Sequence, residues 1–111
     1  MTPSSLQMLL ARMVAARREA SHHLERVHRQ IDRRAERLTV SEKEKASNRT
    51  HKRSGARWTR SDEMLFQSHV ETLAFMRRGE IEALVRKLER QDRAIAVVRL
   101  KLDIDGLRRA A

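Results

Sequence analysis

The sequence predicts an all-α protein that folds as one long antiparallel two-helix coiled-coil hairpin. In both halves of the chain, apolar residues recur at alternating steps of three and four, the spacing of a coiled-coil seam. Aromatic residues make up only 3% of the 111 residues and charged residues 36%, a composition typical of long helices with a large solvated surface. The turn formers Ser54 and Gly55 separate the two halves, which places the bend between the two helices.

The first helix is predicted over residues 3–46. Thr2 can cap it, and Pro3 suits the first helical position because proline has no N–H to leave unpaired there. Beyond Leu38 the apolar pattern stops, so residues 41–46 are expected to stay helical without burying a face. The seam residues of this helix are Leu6, Leu10, Met13, Arg17, Ala20, Leu24, Val27, Ile31, Arg34 and Leu38.

The bend is predicted over residues 47–59 and is strongly basic. Residues 41–60 contain seven basic and two acidic side chains, so they carry +5 of the total formal charge of +10. Such a segment attracts anionic partners, whether nucleic acid, an acidic protein surface or phospholipid headgroups. We call the five basic residues between positions 49 and 60 the basic tip: Arg49, Lys52, Arg53, Arg57 and Arg60.

The second helix is predicted over residues 60–105, followed by a short tail at 106–111. Thr59 or Ser61 can cap its start, Gly79 is a candidate point of bending, and Gly106 is a natural stop. Its seam residues are Val70, Ala74, Arg77, Ile81, Leu84, Leu88, Gln91, Ile95, Val98 and Leu102.

A polar layer predicts how the two seams align. If facing residue numbers sum to 108, Arg17 lies opposite Gln91, and the midpoint falls at Ser54. A slip of one heptad would leave both polar side chains against aliphatic partners, which costs a few kcal/mol. Arg17 and Gln91 are therefore predicted to set the register. Continued toward the bend, this register pairs Lys45 with Glu63.

The composition argues against catalysis and against metal or cofactor binding. The chain has no cysteine, which excludes disulfides and thiolate metal sites. The five histidines are scattered, His22, His23 and His28 belong to no acidic or nucleophilic constellation, and the three glycines form no phosphate-binding loop. No apolar run approaches the roughly 20 residues of a membrane span, and the N-terminus does not resemble a signal peptide. We therefore expect a cytoplasmic protein that is not an enzyme and has no cofactor.

An apolar cluster beside the seam has two interpretations. Leu65, Phe66 and Leu73 fall outside the predicted seam positions, close to His69. With Trp58 folded back on them, they could cover the bend. Alternatively, these five residues form a partner-binding patch.

Trp58 shortly before the pair Phe66-Gln67, followed by Leu73 and Ile81 on the same helix, resembles the FliJ/YscO family. Its members are small basic stalk proteins of flagellar and injectisome type III export. The resemblance implies a coiled-coil rod whose paired termini enter the ring of the export ATPase. It also implies that the flank near Phe66 and Leu73 contacts the export gate or export chaperones, at the cytoplasmic periphery of the bacterial inner membrane.

Two other functions stay open at this stage. A basic helical hairpin that dimerises into a four-helix bundle could bind nucleic acid through the basic tip and Trp58. A chaperone or a general scaffold could use the same surfaces. Self-association is a further expectation, because a two-helix hairpin has little core for its length.

Overall fold

The computed structural model describes residues 2–50 and 57–110, with the side chains of Arg49 and Thr50 left out. Within these ranges the regular elements are three helices: α1, Pro3–Thr50; α2, Arg60–Met76; and α3, Arg78–Ala110. The predicted all-α class is confirmed. The predicted bend at Ser54 and Gly55 lies outside the described residues.

Helix α1 is longer than the sequence predicted. It begins at Pro3, where the backbone N–H of Ser5 donates to Thr2 Oγ1 over 3.1 Å. It ends at Thr50, about four residues beyond the expected end. Residues 42–46 are Glu, Lys and Ala, which are strong helix formers. Their propensity carries the helix through Ser47 and Asn48, which the sequence interpretation assigned to the bend.

The second half of the chain forms two helices rather than one. Helix α2 stops at Met76 and α3 starts at Arg78, with Arg77 between them at φ −105° and ψ 14°. Arg77 N–H still donates to the Leu73 carbonyl over 3.1 Å. The interruption lies two residues before Gly79, the expected bending point. A Cβ added at Gly79 would meet no atom within 4 Å, so packing does not require glycine there.

Helix α3 continues through Gly106 to Ala110, so the predicted stop and unstructured tail are wrong for residues 106–110. A single glycine costs a helix only about 1 kcal/mol relative to alanine. Arg108 and Arg109 lie in the last turn, where positive charge stabilises the negative end of the helix dipole.

The chain divides into two compact units. The terminal unit combines Met1–Glu25 with Glu82–Ala111, and the central unit is Arg26–Ile81. Each residue that is buried in the described part of the terminal unit occupies a predicted seam position. These residues are Leu6 and Ala20 on α1 and Leu84, Ile95 and Val98 on α3.

The central unit departs from the predicted seam on α1. Its buried residues follow steps of four: Val27, Ile31, Ala35 and Thr39. Arg34, a predicted seam residue, is exposed instead, because a guanidinium is costly to bury whereas the neighbouring alanine is not. Thr39 is fully buried, and its Oγ1 donates to the Ala35 carbonyl over 2.8 Å. This bond satisfies the hydroxyl within the helix.

Polar contacts between described residues join α1 to the later helices within the central unit. Gln30 Oε1 accepts from Arg77 Nη1 over 2.9 Å, Glu42 Oε1 lies 3.1 Å from His69 Nε2, and Lys43 Nζ donates to Asp62 Oδ2 over 2.9 Å. The partner number falls as the α1 number rises, as antiparallel helices require.

The predicted pair Lys45–Glu63 is not formed. Lys43 lies four residues after Thr39 and therefore continues the four-step stripe, while Lys45 is exposed. The shift of the seam on α1 thus changes which lysine reaches α2.

In the terminal unit, the predicted pair of Arg17 with Gln91 is also not formed. Arg17 Nε donates to Asp92 Oδ1 over 2.6 Å, and both side chains stay about half exposed. The hydrogen bond and the charge of Asp92 raise the pKa of Arg17. A carboxylate is a stronger partner for a guanidinium than an amide, and at a solvated edge neither charge is fully desolvated. Gln91 Oε1 is buried without a hydrogen-bond partner in the described part of the chain.

Across residues 2–50 and 57–110, none of the helices combines the length and apolar content needed to cross a membrane.

Candidate functional site

The start of α2 is where two of the predicted interaction residues, Trp58 and Phe66, come together. Thr59 is the N-cap: its Oγ1 accepts from the Asp62 backbone N–H over 3.1 Å, and Asp62 Oδ2 accepts from the Thr59 backbone N–H over 2.8 Å. This reciprocal capping box satisfies two backbone donors. Thr59 was one of the two predicted caps.

Lys43 of α1 holds this turn in place. Its Nζ donates to Asp62 Oδ2 and also to the backbone carbonyl of Arg57. The hydrogen bond from the Thr59 backbone N–H lowers the pKa of Asp62 most, and the hydrogen bond from the Lys43 ammonium lowers it further. One cation therefore fixes both sides of the turn that presents Trp58.

Trp58 is oriented from two directions. Its ring meets Phe66 edge to face, with centroids 6.2 Å apart and planes at 73°, a favourable aromatic geometry. Its Nε1 donates to Glu63 Oε2 over 2.8 Å, and Glu63 Oε1 accepts from Gln67 Nε2 over 3.0 Å. The bond from Gln67 and then that from Trp58 lower the pKa of Glu63. Trp58 nevertheless remains 41% exposed.

These residues border a shallow depression, which we call the Trp58–Phe66 groove. Its volume is about 240 Å³, and Glu36, Trp58, Glu63 and Phe66 line it. Two carboxylates beside two aromatic rings attract a cationic or apolar group and repel an anion. The groove is therefore acidic, whereas the chain as a whole carries a formal net charge of +10.

The remaining members of the predicted apolar patch do not stand free. Leu65, His69 and Leu73 are half buried on the face of α2 that includes Val70 and Ala74. His69 Nε2 lies within ion-pair distance of Glu42 but forms no hydrogen bond of acceptable geometry. The structure therefore joins Trp58 to Phe66 through their ring contact, and Phe66 is half buried like the other three.

The most exposed apolar side chains of α2 are Met64, Phe75 and Met76, which the sequence interpretation did not select. The signal was available, since Met64 and Phe75 are eleven residues apart, three helical turns along one face. The Arg78 guanidinium lies 4.0 Å from the Phe75 ring centroid, so a cation–π contact covers part of this ring.

The described part of the chain includes the side chains of two members of the basic tip. Arg57 and Arg60 are exposed, whereas Lys52, Arg53 and the side chain of Arg49 fall outside the described residues. Within the described ranges, no group of three or more His, Asp or Glu side chains could hold a metal ion.

Comparison with protein-family models, with curated proteins and with solved structures finds no match to this chain.

Proposed function

We propose that this protein is a non-enzymatic coiled-coil stalk component of a bacterial type III protein export apparatus. It acts on the export ATPase and contacts the export gate or export chaperones from the cytoplasmic side of the inner membrane. In this proposal α1 forms one arm of a long antiparallel coiled-coil hairpin, and α2 with α3 forms the other.

The observation that carries the proposal is the narrow apolar seam of the terminal unit. Its buried side chains keep to one line on each helix, including Leu84, Ile95 and Val98 on α3. Charged side chains make up 36% of the chain, and none of the buried residues described in this unit is charged. A ring that must let a rod turn needs contacts that are numerous and loose, which a solvated charged surface supplies.

The central unit offers the contact to the gate or to chaperones. Its Trp58–Phe66 groove presents aromatic area with two carboxylates, so it suits a segment that carries a lysine or arginine beside apolar side chains. Lys43 holds the groove to α1. The two functions of a stalk, ring entry and gate contact, would then belong to different units.

The decisive experiment adds the purified protein to the cognate export ATPase in equal amounts. We expect the rate of ATP hydrolysis and the fraction of assembled hexamer to change, because a stalk contacts several subunits at once. Phe66→Ala should retain this effect and weaken gate or chaperone binding. Met64→Ala, an exposed apolar residue on the same helix, is the matched control and should retain both. Unchanged hydrolysis and assembly would remove the main support for the proposal.

Nucleic-acid binding is the second candidate, favoured by exposed Arg57 and Arg60 on either side of Trp58. Against it, the Trp58 ring is already held by Phe66 and Glu63, and a carboxylate repels phosphate. Anisotropy of labelled single- and double-stranded oligonucleotides near physiological salt decides between the two candidates. Binding that falls in Arg57→Ala and Arg60→Ala would support this second function. Capture of secreted client proteins would instead support a chaperone or scaffold.

A further inference from the structure

Helix α3 carries a second apolar stripe on the side opposite its buried seam. By 100° per residue, this stripe lies roughly 170° around the helix from the seam face of Ile95, Val98 and Leu102. A helix with apolar residues on two opposite sides is normally covered on both. The stripe consists of Val97, Leu100, Ile104 and Leu107, whose side chains are 53%, 59%, 40% and 72% exposed.

The spacing and the residue types of the stripe match a coiled-coil seam. The steps of three, four and three place β-branched Val97 and Ile104 at a positions and Leu100 and Leu107 at d positions. This combination, β-branched at a and leucine at d, favours a parallel two-stranded pairing. Arg90 and Arg93 occupy the preceding a and d positions, so the stripe is limited to four layers.

The flanking charges select both the partner and its direction. In this heptad frame Lys101 and Arg108 are e residues and Asp103 is a g residue. In a parallel pair of identical helices, g of one copy meets the following e of the other, so Asp103 faces Arg108 twice. In an antiparallel pair e faces e, which brings Lys101 and Arg108 against like charges. None of the three makes an ion pair within the described part of the chain.

We propose that the stripe is a docking surface for a second copy of this chain, with the two α3 helices parallel. The stripe faces away from the seam, so each α3 could keep its contact with α1. Because α3 is already helical, association need not supply the cost of ordering a helix. Four layers bury less area than a standard stable interface, so the dimer is weak and concentration-dependent. This inference does not depend on the export function.

Sedimentation equilibrium of the full chain over a wide concentration range tests the proposal. We expect a reversible monomer–dimer equilibrium that is lost in Leu100→Lys, which places a charge in the second layer. Met8→Lys, at an exposed apolar residue of α1 in the same unit, should leave it intact. A wild-type chain that stays monomeric throughout, or a dimer that survives Leu100→Lys, overturns the proposal. Circular dichroism checks that each variant keeps its helix content.

Two further variants test the direction of pairing. Arg108→Glu should weaken a parallel dimer, because two carboxylates then meet at each flank, and it should strengthen an antiparallel one. The chain contains no cysteine, so Leu107→Cys introduces a single thiol. Within this protein, that thiol can form a disulfide only with the same residue of a second copy. Parallel pairing predicts that Leu107→Cys forms a disulfide-linked dimer under a mild oxidant, whereas Met8→Cys forms little cross-linked dimer. Strengthened association in Arg108→Glu, or no Leu107→Cys cross-link, overturns the parallel arrangement.

Discussion

Two residues on opposite sides of α3 provide the sharpest test of what holds the terminal unit together. Ile95 is 4% exposed and lies on the seam, whereas Val97, two residues later, is 53% exposed. Truncating a buried isoleucine to alanine removes its transfer free energy and leaves a cavity, together about 2–5 kcal/mol. Truncating the exposed valine loses little burial and gains helix propensity, so the expected change is within about 0.5 kcal/mol.

The two truncations, Ile95→Ala and Val97→Ala, are compared by urea unfolding, followed by far-UV circular dichroism. Protein concentration is kept low so that self-association through Val97 does not contribute. A domain of this size has a free energy of unfolding of about 5–15 kcal/mol. The Ile95 truncation should therefore lower the urea midpoint substantially at an unchanged slope, while the Val97 truncation should leave it close to that of the wild type.

Equal losses of stability in the two variants would refute the assignment of the seam face. So would a loss below about 1 kcal/mol for Ile95→Ala, which falls short of the range for a buried residue. In either case the packing of α1 against α3 would not depend on the predicted four-three pattern.

Three further predictions concern the α2 entrance and the buried polar residue of α1. Thr59→Ala should destabilise the α2 start by about 1 kcal/mol, detected by urea unfolding with the fluorescence of Trp58 as the probe; an unchanged midpoint would contradict the capping role. The pKa of Asp62 lies below its ordinary value of 3.8 in the folded state, so its contribution is present above that value and is lost as pH falls through the lowered pKa; Asp62→Asn should flatten this acid dependence in a pH series of unfolding curves. Thr39→Val should change the free energy of unfolding by less than about 1 kcal/mol, because the hydroxyl bonds only within its own helix and no buried group is left unpaired; a larger loss by chemical denaturation would show that the hydroxyl has another role.

Local sequence determined much of the secondary structure and the side of α3 that packs. The four-three pattern from Ile81 to Leu102 predicted which side of α3 packs, because a stripe on a straight helix depends only on helical periodicity. Residue type offered Thr59 and Ser61 as caps of α2, and the structure selects Thr59 and shows Asp62 as its capping-box partner. The same kind of reasoning failed for Gly106, where one glycine was given more weight than the residues around it.

The tertiary structure decided where charged side chains leave the seam. Arg34 gives way to Ala35, and the helix break falls at Arg77, whose guanidinium binds Gln30 and Glu80. Periodicity cannot predict such choices, because they depend on which polar partner lies within reach on another helix. Periodicity likewise could not select Asp92 rather than Gln91 as the partner of Arg17. The two side chains are adjacent in sequence but point about 100° apart around the helix, and only the packed structure shows which of them Arg17 reaches.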